Sequence, residues 1–286
     1  MSKFILGTAN FGSVYGIANK GIQTSDRKIK RIISVAQNNG IEEFDTAPSY
    51  GEAEVLLGKF MDSRYGTKVS SKISQKECVS VESIIESINK TLINTNKKKL
   101  SNLLLHDPEP FNPTTFEILR EGLLEAVKLG FVDRIGASVY SIESLLRIKE
   151  FIPEMSVFQV PENICDRRLI NSAEILNLFN AGNKFIVRSI FLQGLLLMPL
   201  KNLKTNSTFQ EVSKLTNFAR EINTTKLHIC LAYARSIPWS SGIVVGVASP
   251  KQLSEILNSK FKLPNNWETQ VGTLPVEILD PRSWQK

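Results

Sequence analysis

Histidine and cysteine are scarce in this 286-residue chain, which holds two of the first and three of the second. Cys78, Cys165 and Cys230 lie far apart and show no metal-ligand spacing, so no metal centre is expected. An odd count cannot all pair within one chain, and reduced thiols in a cytosolic protein follow as the expectation. No apolar run approaches the ~20 residues that a membrane helix needs. The opening residues, MSKFILGTAN, lack the long apolar core and cleavage pattern of a secretory leader. A cytoplasmic protein with no membrane partner is therefore expected. Low-complexity segments, interdomain linkers and repeats longer than a strand–helix unit are also missing, which points to one domain over residues 1–286.

Lys and Arg number 35 against 28 Asp and Glu, a formal charge of +7. A mildly basic surface suits anionic ligands such as nucleotide phosphates. It lacks a dense basic stripe interleaved with aromatics, so no nucleic-acid partner is expected. Hydrophobic content of 42% and charged content of 22% are those of an ordinary globular chain.

Along the chain, short apolar runs alternate with longer amphipathic ones. The strand-like runs are 4–8, 43–47, 68–73, 103–105, 134–139, 157–160, 185–190 and 242–247. The helical stretches are 25–39, 52–61, 81–92, 114–129, 142–151, 172–179, 209–222, 227–236 and 250–258. In the first of these, Ile29, Ile32, Ile33 and Ala36 share one face and Gly40 fits the stop. Alternation of this kind predicts βαβ units and a parallel sheet, and eight such pairs match an α/β fold of the (β/α)8 TIM-barrel type. The tail, 262–286, carries three prolines and no strong periodicity. It is expected to wrap the barrel or edge its mouth.

Active sites of such barrels lie at the C-terminal strand ends. Asp45 falls near the end of the second strand, Tyr50 in the loop after it, Lys72 near the end of the third strand and His106 at the end of the fourth. Successive strands of a parallel barrel are neighbours, so these side chains can converge at one mouth. A phenol with a pKa near ~10 is a poor acid at neutral pH, but a nearby ammonium stabilises its phenolate. A carboxylate can hold that ammonium in place. Tyr50 could then protonate a carbonyl oxygen as hydride reaches carbon, with His106 orienting the carbonyl. Each residue also has a plain reading alone: Asp45 as a helix cap, Lys72 as a surface lysine, Tyr50 as a packed aromatic, His106 as a structural histidine. Their joint placement on three consecutive strands favours the chemical reading. His228, in LHICLAYA, reads as structural.

At these residues the sequence resembles the aldo-keto reductases. FDTAPSYGEAEVLLGKF is similar to that family's DTA-x-x-YG-x-x-E-x-x-LG signature, and LGTANFG, LLLHDPEPF, GLLEAVKLGFVDRIGASVYS, FQVPENICDRR, RSIFLQGLLL and VVGVASPKQLSEIL extend the likeness to about residue 259. The resemblance implies a barrel reductase with a catalytic tetrad of Asp45, Tyr50, Lys72 and His106 and a nicotinamide dinucleotide lying across the strand ends. No GxGxxG is expected, because the fold is not the dinucleotide-binding open sheet. By the same resemblance Ser138 and Gln159 hold the nicotinamide amide, and Gly7, Thr8 and Asp45 lie near the nicotinamide ribose. Ser189, Gln193 and Gly194 contact the pyrophosphate. Gly246, Ser249, Gln252 and Glu255 surround the adenosine end, where a helix start favours phosphate.

Four positions depart from the family pattern. Val139 replaces a common Asn, Arg188 an aromatic that stacks on the nicotinamide, Ala248 a phosphate-binding Arg or Lys, and Ile256 an Asn at the adenine; Arg188 is still counted with the cofactor-binding residues. NADPH is the expected cofactor, with NADH as the alternative; Lys251 and Ser249 could serve the phosphate in place of residue 248.

Phe11, Tyr15 and Phe191 are candidates either for a substrate pocket or for plain packing. Lys97, Lys98 and Lys99 read as a solvated loop on the bottom face. Trp239, Trp267 and Trp284 are scattered. Trp284, in ILDPRSW, resembles endings of bacterial family members found with polysaccharide-synthesis enzymes, which points to sugar-derived substrates. The expected protein is a monomeric reductase of a small-molecule carbonyl compound. A cofactor-binding regulatory or redox-sensing protein is the alternative, and a barrel lyase or isomerase without nicotinamide a third.

Overall fold

Each short run of β-branched, aromatic and leucine residues folds as a strand, and the amphipathic stretch after it packs back as a helix. The computed structural model describes residues 3–12, 16–17, 24–106, 108–109, 112–203 and 207–284. Eight parallel strands close into a barrel in chain order. They are β1 (Phe4–Gly7), β2 (Glu43–Asp45), β3 (Lys68–Ile73), β4 (Asn102–Leu105), β5 (Ile135–Ser138), β6 (Val157–Pro161), β7 (Lys184–Arg188) and β8 (Ser240–Gly246). The helices are α1 (Ala9–Gly12), α2 (Asp26–Asn38), α3 (Ala53–Phe60), α4 (Val81–Thr95), α5 (Pro113–Lys128), α6 (Ile142–Phe151), α7 (Ala173–Asn180), α8 (Ser207–Glu221), α9 (Lys226–Ser236), α10 (Pro250–Asn258) and α11 (Val276–Leu279). The α/β barrel predicted from the alternation is the one observed. Strand β2 ends at Asp45, two residues before its apolar run does; Thr46 stays buried and donates its N–H to the Ser70 carbonyl at 2.9 Å before the chain enters the Pro48–Tyr50 turn.

Strand alternation sorts the side chains into an inner and an outer set. Outward residues such as Leu6, Phe44, Val69, Leu103, Phe158 and Val245 are buried in one large core against the helices. Inward, Ile5, Leu104, Val157 and Ile186 form a small plug inside the barrel, with Val244 packed on it. Below the plug lies a polar floor, where the Glu43 carboxylate accepts from Ser70 and, at 2.8 Å, from Asn102. Above the plug, one further inward position remains on every strand. The strand register climbs two residues at each of the β2–β3, β3–β4, β6–β7 and β7–β8 junctions, an advance of eight round the barrel and the shear of this architecture.

The family-like signature has a structural half. Glu54 on α3 is buried and accepts from Ser71 of β3 at 2.7 Å and Thr91 of α4 at 3.2 Å. Gly58 lets α4 approach, since a Cβ there would lie 2.1 Å from the Asn94 carbonyl oxygen. The pair clamps α3 between strand and helix and so fixes the loop that leads into it.

The tail packs on the mouth side. Leu274 donates its N–H to the Cys165 carbonyl at 2.9 Å, and Arg167 donates to the Val271 carbonyl at 3.2 Å, both on the loop after β6. Trp284, Leu195, Met198, Leu203 and Ile278 line an apolar cleft of about 260 Å³ between this tail and the segment after β7. Among the bottom-face lysines, Lys97 is half-buried and donates to the Thr67 carbonyl at 2.6 Å, while Lys98 and Lys99 are exposed. The run is thus solvated only in its last two residues. Phe11 is fully buried in the core, so packing is the reading that holds for it; Phe191 is half-buried against the same core, and Tyr15 lies outside the described residues. His228 pairs with Thr224 and stacks near Phe261. No helix among the described residues is long and apolar enough to cross a membrane.

Candidate active site

The uppermost inward positions are Gly7, Asp45, Lys72, His106, Ser138, Gln159, Arg188 and Gly246. Each stands two residues beyond an inward residue of the plug or floor, or of the level between them: Ile5, Glu43, Ser70, Leu104, Gly136, Val157, Ile186 and Val244. Period-two alternation therefore aims all of them at the barrel axis. Adjacent registers confirm neighbourhood, with Gly7 opposite Asp45, Ser138 opposite Gln159 and Gly246 opposite Gly7. All eight were singled out from the sequence, and the fold brings them to one rim.

Two of these residues form the electrostatic centre. Lys72 is 2% exposed and Asp45 4%. The Lys72 ammonium donates to Asp45 Oδ2 at 2.7 Å and to the Thr46 carbonyl at 2.9 Å. Gln159 Nε2 donates to the other carboxylate oxygen, Oδ1, at 2.8 Å. The Thr8 hydroxyl and N–H both reach the Asp45 carbonyl at 3.0 Å, which fixes the backbone that carries the carboxylate.

Tyr50 closes a single 3-10 turn, Pro48–Tyr50, right after β2. The turn is seated by contact of glycines: a Cβ at Gly12 would lie 1.9 Å from the Tyr50 carbonyl oxygen, and Gly51 takes a positive φ of 61°. The seated ring lies with its centroid 5.0 Å from Lys72 Nζ and 5.8 Å from the His106 ring, edge to face. His106 pairs through Nδ1 with the Ser49 hydroxyl at 3.3 Å. Burial, then the charges of Lys72 and Arg188, depress its pKa from 6.5 to about 3, so the imidazole is neutral at ordinary pH. Ser49 was not anticipated from sequence; its place beside Tyr50 in the signature was the available signal.

Around this centre the other sequence-selected residues fall into two groups. Ser138 and Gln159 adjoin it, and neither the serine hydroxyl nor the glutamine side-chain carbonyl makes a hydrogen bond among the described residues. Together they offer one hydroxyl and one carbonyl to a carboxamide. Ser189, Gln193 and Gly194 form the loop after β7, in which Ser189, Leu192, Gln193 and Gly194 all have positive φ. The non-glycine residues among them cost ~1–3 kcal/mol each, and the turn closes on itself, with the Leu192 and Gly194 N–H groups donating to the Ser189 and Phe191 carbonyls at 2.8 and 2.9 Å. At the end of β8, Ser249 caps α10 by accepting from the Gln252 N–H at 3.2 Å, and Gln252 Oε1 accepts from the Ala248 N–H at 2.8 Å. Glu255 faces Lys251 one turn earlier at 4.0 Å on the exposed surface. Lys251 is free to swing, with 86% of its side chain exposed.

Arg188 departs most from what the family pattern suggests. Its guanidinium donates to the Val139 carbonyl at 3.0 Å and to the Ser189 hydroxyl at 3.1 Å, and lies 4.0 Å from the Tyr140 ring centroid. Arg282 of the tail lies 4.0 Å from the same ring. Neither Tyr140 nor Arg282 was singled out from the sequence, although each lies inside a segment that carries the likeness, GASVYS and ILDPRSW.

A closed parallel barrel with a polar rim at the C-terminal strand ends is the architecture in which barrel enzymes carry their sites. Residues 3–268 match the model of the aldo/keto reductase family. The chain belongs to that family, which is one of oxidoreductases. A stretch of 153 residues is 28% identical to the chloroplastic pyridoxal reductase of Arabidopsis thaliana, spanning 48% of this chain and 42% of that protein, less than half of its length. Over 284 residues the chain is 24% identical to D-arabinose 1-dehydrogenase of Saccharomyces cerevisiae, spanning 91% of this chain and 83% of the other. Among solved structures, a thermostable aldo-keto reductase in complex with the inhibitor epalrestat superposes with a TM-score of 0.75 at 21% identity, over 98% of this chain and 96% of that one. A Pseudomonas aeruginosa protein assigned to the aldo-keto reductases does so with a TM-score of 0.63 at 19% identity, over 90% and 88%.

Proposed function

We propose that this protein reduces an aldehyde or ketone with a nicotinamide cofactor, NADPH in preference to NADH, and that Tyr50 supplies the proton. One observation carries the reading: a lysine 2% exposed, ion-paired at 2.7 Å, stands 5.0 Å from the ring of a tyrosine at the barrel mouth. A buried ammonium beside a phenol favours the phenolate left behind when the phenol gives up its proton. Asp45 holds the ammonium in position, and Gln159 and Thr46 hold Asp45 and Lys72 in turn. The neutral His106 can donate an N–H to the carbonyl oxygen and orient it without repelling Lys72.

Residues able to hold the cofactor are present. Ser138 and Gln159 suit the carboxamide, the loop from Ser189 to Gly194 stands where the family likeness puts the pyrophosphate, and the start of α10 with Ser249 and Lys251 suits a further phosphate. Gly246 leaves open space at the end of β8, where a Cβ would meet only Asn10 Nδ2 at 3.6 Å. When bound, the cofactor supplies hydride to the carbonyl carbon. Tyr50 then gives its proton to the oxygen, and solvent restores it. The names of the relatives, a pyridoxal reductase and a D-arabinose 1-dehydrogenase, together with the tail's Trp284, favour a polar or sugar-derived carbonyl compound.

The test is a fluorescence titration with NADPH and NADH followed by turnover on a panel of aldehydes and ketones. Binding with turnover on at least one carbonyl compound is expected. Tight binding without turnover would instead identify a cofactor-sensing protein, and failure to bind either cofactor would remove the reductase reading.

A further inference from the structure

We propose that Arg188 receives a carboxylate of the substrate, so that the enzyme prefers carbonyl compounds carrying an acid group over neutral ones. The inference rests on the reductase reading above and narrows its substrate class. Three observations carry it.

The first is position. Ile186 belongs to the plug inside the barrel, and Arg188 stands two residues further along the same strand, so its side chain is aimed at the axis. There it shares the rim with Lys72 and His106, and its charge adds to the field that keeps the His106 imidazole neutral. A group bound by Arg188 therefore lies beside whatever His106 orients. Arg188 also touches the loop after β7 through the Ser189 hydroxyl at 3.1 Å, so the cofactor affinity of its variants is read alongside the substrate preference.

The second is an uncompensated charge. Lys72 is paired with Asp45 at 2.7 Å, and Arg282 with Asp280 at 2.6 Å and Glu109 at 3.8 Å. Among the described residues no carboxylate lies within ion-pair distance of Arg188. Asp280 feels its charge, but Arg282 holds that carboxylate. A half-buried guanidinium has lost part of its hydration, and an anion that pairs with it restores what burial removed.

The third is the donor count. A guanidinium has five N–H donors. One bonds the Val139 carbonyl and one the Ser189 hydroxyl, and Nε is sealed from solvent without a partner. Two donors are left, both on the terminal nitrogens, and two are what a carboxylate accepts in a forked pair. Tyr140 backs the guanidinium plane, and Arg282 braces the same ring from the tail. The fork is thus held rigid before a ligand arrives, which reduces the ordering cost of binding.

The experiment compares succinic semialdehyde with butanal, aldehydes of equal chain length that differ by the carboxylate, as a ratio of kcat/KM. The wild type is expected to favour the acid. Arg188→Met should lower the ratio at least about tenfold, chiefly through KM for the acid. Arg188→Lys, which keeps the charge and loses the fork, should fall between the two and serves if the Met variant does not fold. A ratio held within about twofold in both variants overturns the proposal, and a simultaneous collapse of NADPH affinity would assign the guanidinium to the cofactor's phosphates. A wild type that binds NADPH but reduces neither aldehyde nor any other carbonyl compound fails at the reductase reading itself, before any variant is made.

Discussion

Burial sets the ionisation states around Lys72. Asp45 and Lys72 are both almost fully inside and pair with one another at 2.7 Å, so neither buried charge is left without its partner. Lys72→Met is expected to leave a buried carboxylate supported only by Gln159 and to cost ~3–5 kcal/mol in a urea titration, together with turnover. His106 behaves oppositely, since burial and two cations keep it neutral down to about 3. An unfolded histidine protonates near 6.5. Between those values the unfolded chain holds the extra proton, so the His106 contribution to stability declines as pH falls through that window. The imidazole resonances of His106 should not titrate between pH 5 and 8, and kcat/KM should show no limb from this group there. A titration near 6.5 would refute the burial argument. The four central residues were legible because each ends, or directly follows, a strand of recognisable type. Their partners were less so: Gln159 reaches Asp45 across 114 residues, and periodicity holds no information about which carboxylate oxygen it meets.

Elements were legible in proportion to their length. Helix α6 (Ile142–Phe151) and strand β3 (Lys68–Ile73) match their predicted spans, and α4 runs only three residues further than its pattern. Short pieces escaped: α1, the Pro48–Tyr50 turn and α11 have too few residues for a period to show. Yet the contact of α1 with that turn seats Tyr50. A methyl group at Gly12 would collide with backbone atoms, 1.9 Å from the Tyr50 carbonyl oxygen and 2.4 Å from the Glu52 nitrogen, and neither can rotate aside. Gly12→Ala is therefore expected to shift the turn by about 1 Å and lower kcat by roughly 100-fold. Circular dichroism should still show the barrel. Full activity in this variant would mean that the turn is not held as described.

At the scale of the whole molecule, barrel closure converts a linear pattern into a site. Alternation aims one residue per strand at the axis, and the stagger of eight gathers them at one rim. What the sequence did not reveal is how the tail is fastened. Behind β6, the Glu162 carboxyl is fully buried, accepts from the Tyr233 hydroxyl at 2.5 Å and from the Leu169 N–H at 3.1 Å. Burial pushes its pKa up from 4.5 to about 8. The folded state thus keeps a proton that the unfolded chain releases between those values, and stability falls as pH rises from about 5 to 8. Tm should drop by several degrees over that range, and Glu162→Gln should flatten the slope; an unchanged slope would show that Glu162 is already ionised in the fold. Tyr233 also packs against Trp267, so loosening at Glu162 reaches the tail that braces Tyr140 and Arg188. The claim on which function depends remains the proton from Tyr50. Its most direct measurement is the single-turnover rate of NADPH oxidation by bound aldehyde in wild type and Tyr50→Phe, with cofactor affinity measured in both. A fall of at least about 100-fold with NADPH still bound is the expected result; equal rates in the two proteins would contradict it.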